Sequence, residues 1–529
     1  MKKLINSKFL LLLLIFFALS CNEEIMNLKD QNTYTTAAYF NTPVEIEKGA
    51  VAIYSSFYFN SMFAWRWPEA LDVLANEAEM LVPALVNETD IVAMNKYQFN
   101  NTTNPIVGLW RLCYKMVLRS NLVIDKANTY LTDKGDDDIV KRSLGEAYFL
   151  RGWAYTQLAF YYGRVPLRTT FNQAGNEDAP RSATVKEVWD VAEGDFKMAK
   201  GLLPEVSTYR NGDAETKKLL GRATKEAAIG FLGKLYLYNK EYAKAEAEFA
   251  LLEDKHSLLP VARWMENFDE INENNEESVF EIQFHWYPGG EQWGMFGDLE
   301  GNSKTATNTA RQQLYTWPQV GGWDNYAVPL VRVQNFQYKD EAGNDFVDPR
   351  APLTFYGGIG DNTILDKSTG GAKPYTFANK IPLVYYYKKG TMLEYKRSSI
   401  ESGINHNLMR YADVVLMRAE CKLETGDIPG CMALINQIRE RIGAFKYLNS
   451  YTKDQAFELL KHERQLEFMG EQMRFNDLKR WGILEETMNP ELQVLFGTQP
   501  VTAKHYLFPI PQLEIDTNLG LGPVENNWN

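Results

Sequence analysis

The chain has 529 residues, 45% hydrophobic and 23% charged, an ordinary globular balance and enough length for two or three domain-sized units. Its net charge of −12 argues against a nucleic-acid surface, which needs clustered Lys and Arg to neutralise phosphate. Cys113, Cys421 and Cys431 fall in apolar helical patterns and read as small core residues; a Cys421–Cys431 bridge would need Cα atoms within about 7 Å. No cysteine pair has metal-ligand spacing, so neither a metal nor a cofactor is expected.

Residues 1–20 read as a secretory signal. Lys2, Lys3 and Lys8 precede an apolar run from Phe9 to Leu19 that is too short to span a bilayer, which takes about 20 residues. The run ends Ala18-Leu19-Ser20-Cys21, small residues before a lone cysteine, as in a lipobox. Cys21 is therefore the expected lipidation site, and residues 21–42 a lipidated tether. In a lipobox the Leu usually stands three places before the cysteine; here Ala18 holds that place. Several acyl chains, at about 0.8 kcal/mol per buried CH₂, would anchor the chain stably.

Residues 43–59 read as a helix with Thr42 as N-cap and Pro43 at the first helical position. A loop-rich piece holding Trp65 and Trp67 follows. Residues 105–130, 136–163 and 184–203 show amphipathic helical spacing, the second stopped by Gly163 and Pro166, the third by Pro204. Within 222–254, Leu232, Gly233, Tyr236, Ala245 and Phe249 stand at the offsets of the tetratricopeptide consensus, which makes a helical hairpin. Residues 410–443 form a weaker second unit, with Ala419, Gly426, Cys431 and Ile435 in corresponding places. One such pair cannot bury its own face, so at least three should stack. The scaffold is thus expected over 43–274, with its last repeat, a further helix and the tail over 405–529.

Residues 275–404 break the helical pattern and are dense in Gly, Pro and aromatics. They read as one loop-rich insertion carrying short strands at 278–284 and 383–387. Long loops on a rigid scaffold are where binding usually lives. Asp340, Asn344, Asp345 and Asp348 lack the spacing of an EF-hand loop and read as a solvated turn.

Residues 452–482 open with a capping box, Thr452 and Gln455. At about 100° per residue, Glu463 and Glu467 fall inside the apolar face of Ala456, Leu459, Leu460 and Leu466, with Glu458, Lys461, His462 and Gln465 opposite. Two inward carboxylates need cations close by, and Arg464, Arg474, Arg480, with Arg410 or Arg418, are the candidates. The pair could serve as acid and base in a glycoside hydrolase, but one helical turn amid core residues suits a structural ion network of Glu463, Glu467, Arg474 and Arg480 better. Gly470 should interrupt this helix and Gly482 should stop the next.

Four stretches together resemble the SusD/RagB family of outer-membrane nutrient-uptake lipoproteins: 147–167 (AYFLRGWAYTQLAFYYGRVPL), 410–427 with 435–443, 459–482, and 507–518 (LFPIPQLEIDTN). With the lipobox they span nearly the whole chain in the family's order, although the tail departs from the family's usual ending. The resemblance implies a mainly α fold of about four tetratricopeptide-like helix pairs under a variable, loop-rich face. It also implies a non-enzymatic surface protein, lipid-anchored in the outer membrane, that caps a SusC-like TonB-dependent transporter and hands it glycans or, in the RagB branch, peptides. The family's ligand residues follow no motif, so site residues come from chemistry. Sugar C–H faces stack on aromatic rings, which makes Trp65, Trp67, Trp286, Trp293, Trp317 and Trp323 the ligand candidates. The sequence holds no zinc-protease helix, P-loop or GxSxG, and the S-x-x-K of Ser450 and Lys453 lacks its companion motifs, so no catalytic residue is assigned.

Overall fold

The computed structural model describes residues 39–171, 176–286, 308–317, 322–359, 363–366, 371–374, 386–391, 402–492 and 499–523. The expected signal, Cys21 and Trp293 lie outside the described residues.

The longer helices are α1 (Pro43–Tyr54), α2 (Arg66–Leu74), α3 (Asn104–Lys134), α4 (Asp138–Tyr162), α5 (Val185–Leu202), α6 (Lys225–Tyr238), α7 (Tyr242–Ala250), α8 (Tyr411–Glu424), α9 (Ile428–Arg441), α10 (Lys453–Phe468) and α11 (Arg474–Trp481). Their ends follow local chemistry. Thr42 closes a capping box with Glu45 and Thr452 one with Gln455, while Asp137, Thr184, Thr224 and Asp427 each accept a backbone N–H from the first turn. Gly482 ends α11 at φ +76°, ψ +20°, a left-handed position that favours glycine.

Four antiparallel pairs, α1/α3, α4/α5, α6/α7 and α8/α9, stack in order: α3 packs on α4, α5 on α6 and α7 on α8. Helix α10 closes the stack against α8 and α9. Within the repeat at 222–254 the helices approach closely at Gly233, where an added Cβ would stand 2.6 Å from the Phe249 ring. Cys421 and Cys431 are both buried and unbridged, small core residues as expected.

The insertion leaves the stack along a fully buried strand, Ser278–Ile282, and returns along its antiparallel neighbour, His406–Arg410. Asn405 secures this base: its Oδ1 accepts from Phe284 N at 2.7 Å and its Nδ2 donates to Glu281 at 2.8 Å. Of the expected second strand only Tyr386–Tyr387 is among the described residues, paired with Phe355–Tyr356. Asp340 caps the turn of a small hairpin, accepting from Ala342 N and Asn344 N, whereas Asp348 is buried against Arg350.

Asp348 therefore departs from the expected solvated turn, and two further expectations need correction. Trp65 and Trp67 are not in a loop: Trp65 is the N-cap of α2 and Trp67 lies inside it, because Pro68 falls in the first turn, where its missing N–H costs nothing. His462 does not face solvent. The short helix Leu330–Gln334 of the insertion leads into Asn335, whose carbonyl lies 3.1 Å from His462 Nε2, and the Tyr338 ring stands edge-on to the imidazole.

Candidate functional site

Two constellations qualify as sites, one charged and one aromatic. The charged one is centred on α10, where Glu463 and Glu467 are both 0% exposed. Arg350 Nη1 lies 2.8 Å from Glu463 and 3.1 Å from Glu467; Arg439 adds a bond of 2.9 Å to Glu463, and Arg410 and Arg441 both hold Glu467. Arg410 also pairs with Glu277 and Glu471, Arg350 with Asp348, and Lys389 with Glu471. Five carboxylates thus meet five cations in the interior, and the cluster is neutral as a whole. Burial alone would raise the Glu467 pKa, but Arg441, Arg410 and Arg350 hold it well below the usual carboxylate range.

Of the sequence's candidates for this network only Arg410 belongs. Arg474 pairs with Glu491, Arg480 with Glu420 and Asp477, Arg464 with Asp413 and Asp477, and Arg418 with Glu246 and Glu253. The reason is the break after α10. The chain reverses at Gly470, φ +77°, so Arg474 and Arg480 ride on a different helix. Arg350, Arg439 and Arg441 were missed; Arg350 lies 113 positions from Glu463, and no local pattern could link them. The carboxylates are sealed from solvent and saturated with guanidinium donors. Glu467 is held ionised, and two fully buried carboxylates leave no room for a sugar, which removes the structural basis of a hydrolase reading of this pair.

The aromatic constellation separates the tryptophans. Trp67 is 2% exposed and packs edge-on against Tyr161 and Phe508. Trp317 is 1% exposed, between Tyr356 and Tyr386. Both are core residues. Trp286 is half-buried beside Gly403, where an added Cβ would meet its backbone nitrogen at 2.4 Å. Trp65, itself buried at 9% exposure, and the half-buried Trp323 come together, ring centroids 5.7 Å apart and planes at 50°.

Polar groups ring this pair. The Arg66 guanidinium sits 4.2 Å over the Trp65 ring and pairs with Glu88, and Trp65 Nε1 donates to Glu69 at 3.0 Å. Burial pushes the Glu69 carboxyl up to about 8, with Arg66 opposing and Glu88 reinforcing. Beside Trp65 opens a small cavity lined also by Phe63, Arg311, Tyr315, Lys389, Asn405, His406 and Gln472. His406 is held neutral, its pKa lowered to about 3 by burial and by Arg311. Gln472 stands at φ +61° and donates to Asp72 at 2.8 Å. Such a surface can stack a sugar ring and read hydroxyls with neutral amide, imidazole and carboxyl groups. Of its members only Trp65 and Trp323 were named from sequence. His406, Asn405 and Gln472 come from three separated segments and carry no motif. Among the described residues no cluster of His, Cys, Asp and Glu could hold a metal ion.

Comparison with known proteins fits this architecture. Residues 276–527 match a model described as the SusD family, and residues 29–237 match one described as starch-binding and associating with the outer membrane. SusD-like protein P2 of Formosa agariphila is 24% identical over 455 residues, covering 81% of this chain and 82% of that protein. A crystal structure of a SusD superfamily protein from Bacteroides vulgatus superposes with a TM-score of 0.75 at 26% identity, covering 92% of this chain and all of the other. Surface glycan-binding protein A from Bacteroides thetaiotaomicron, solved with laminarihexaose, shares the fold at TM-score 0.66 and 20% identity, over 92% of this chain and 99% of that one. With both halves matched by models of one family and the whole stack shared with its structures, the chain belongs to the SusD-like family.

Proposed function

We propose that this protein is a surface lipoprotein that binds glycan chains at the Trp65–Trp323 surface and hands them to a SusC-like TonB-dependent transporter of the outer membrane. The observation that carries it is the meeting of Trp65, at the start of α2, and Trp323, from the insertion, beside a cavity that offers Asn405, His406 and Gln472 together with the charged Arg311 and Lys389. A similar protein bound to laminarihexaose supports a glycan over a peptide. The outer membrane enters through the family model and through the lipobox at Cys21. In this reading the protein does no chemistry; it concentrates the glycan over the barrel. No described helix is long and apolar enough to cross a membrane, and the acylated Cys21 is assigned as the anchor.

The test is affinity electrophoresis and calorimetry against a polysaccharide panel that includes laminarin and starch. Binding to at least one glycan, weakened at least tenfold in Trp65→Ala and Trp323→Ala, is expected. No glycan binding across the panel, or binding indifferent to both changes, overturns the proposal. Co-purification of a barrel transporter with the tagged lipoprotein, lost in Cys21→Ala, tests the membrane half.

A further inference from the structure

A second cavity, of about 300 Å³, lies on the far side of α10 from the ion network. Its walls are α10, α11, the helix Leu330–Gln334 of the insertion and the helix Leu484–Leu492. Three donors on its lining side chains have no acceptor: Arg332 Nε, Arg464 Nη1 and Gln465 Nε2. Arg332 is 2% exposed and Arg464 4%. Buried guanidinium N–H groups without acceptors are costly, and native proteins leave few of them.

The local charge points the same way. Arg332 and Arg474 share a single carboxylate oxygen, Glu491 Oε1. Glu77, the other carboxylate beside them, is raised to about 8 by burial, and its Oε2 has no hydrogen-bond donor. Burial first and Arg332 next push the Arg474 pKa down to about 10. At the rim stand Lys461, paired with Glu458, and Gln465.

We propose that this cavity binds a small oxyanion, a phosphate or carboxylate group, held by Arg332, Arg464, Arg474 and Gln465. Charge-assisted hydrogen bonds would complete the open donors and offset the shared charge. The bound anion would tie the Leu330–Gln334 helix of the insertion to the end of the helical stack, a site separate from the Trp65 surface.

The full-length protein in detergent is titrated by calorimetry with inorganic phosphate and, separately, with acetate, each against chloride at matched ionic strength, while thermal unfolding is followed. Saturable binding of one oxyanion with a matching rise in Tm is expected; a phosphate response assigns a phosphate group, an acetate response a carboxylate. Gln465→Leu and Lys461→Met, both at half-buried positions, should each weaken binding about tenfold with the anion-free Tm unchanged. If neither oxyanion shifts Tm beyond chloride, or both variants bind as the parent does, the proposal is overturned.

Discussion

Arg350 Nη1 lies 2.8 Å from Glu463 Oε1, a contact that joins the insertion to the last helical layer across 113 positions of sequence. The same nitrogen reaches Glu467 at 3.1 Å, and the remaining Arg350 donors go to Asp348. This guanidinium docks the insertion on α10 together with the Asn335 and Tyr338 contacts to His462 and the Lys389 bond to the Glu467 carbonyl. Charges buried this deeply add little net stability as a set, but removing one partner strands the others. Arg350→Met should destabilise the protein by about 3–5 kcal/mol, as should Glu463→Gln to a lesser degree because it keeps one acceptor. Urea unfolding of the purified variants measures both. A loss below about 1 kcal/mol for Arg350→Met would show that the cluster is not load-sharing at this point.

The tryptophans should divide by burial. Trp67→Ala opens a core cavity between Tyr161 and Phe508 and is expected to cost about 3–5 kcal/mol of stability. Trp323→Ala removes a half-buried ring and should leave Tm nearly unchanged while lowering glycan affinity at least tenfold. Parallel thermal melts and binding titrations separate the two effects. Equal loss of stability in both variants would place Trp323 in the core and remove it from the site.

Stability should also fall between mildly acidic and mildly alkaline pH. Glu69 has its pKa raised from 4.5 to about 8, and Glu77 and Glu273 are raised to similar values, all chiefly by burial. Between the unfolded and folded values the folded state keeps a proton that the unfolded chain releases. Stability therefore declines as pH rises through that window, by about 1.4 kcal/mol per pH unit for each such group. Glu467 acts oppositely: its folded pKa is depressed, so its contribution is present above 4.5 and is lost as pH falls below that. Chemical unfolding at intervals from pH 5 to 8 should show the decline, and Glu69→Gln should reduce its slope. An unchanged slope in that variant would mean Glu69 ionises normally in the folded state.

Legibility in the sequence followed range. Helix starts such as Thr42 and Thr452, the stop at Gly482 and the hairpin spacing from Leu232 to Phe249 depend on residues within a few turns, and the structure carries them all. The inward turn of Glu463 and Glu467 was readable for the same reason. Their partners were not, since Arg350 comes from the insertion and Arg439 and Arg441 from the preceding helix, while the nearby Arg474 and Arg480 serve other carboxylates. The aromatic surface was half legible. Composition singled out the tryptophans, but exposure depends on tertiary packing, which buries Trp65, Trp67 and Trp317 and leaves only the half-buried Trp323 against the Trp65 ring.

The hairpin spacing makes its own prediction at Gly233. A methyl there would sit 2.6 Å from the Phe249 ring, well inside contact distance, so α6 and α7 must part or the ring must turn. Gly233 lies in a helix interior, where alanine is intrinsically favoured over glycine by about 1 kcal/mol, and that gain opposes the clash. Overpacking of a tight core site costs about 1–3 kcal/mol, so Gly233→Ala should be mildly destabilising and Gly233→Val clearly so. Pairing Gly233→Ala with Phe249→Leu should restore part of the loss, because the smaller side chain vacates the space the methyl needs. Thermal unfolding of the two single variants and the double variant forms a complete cycle, and additivity of the two changes would mean that the helices do not meet at this glycine.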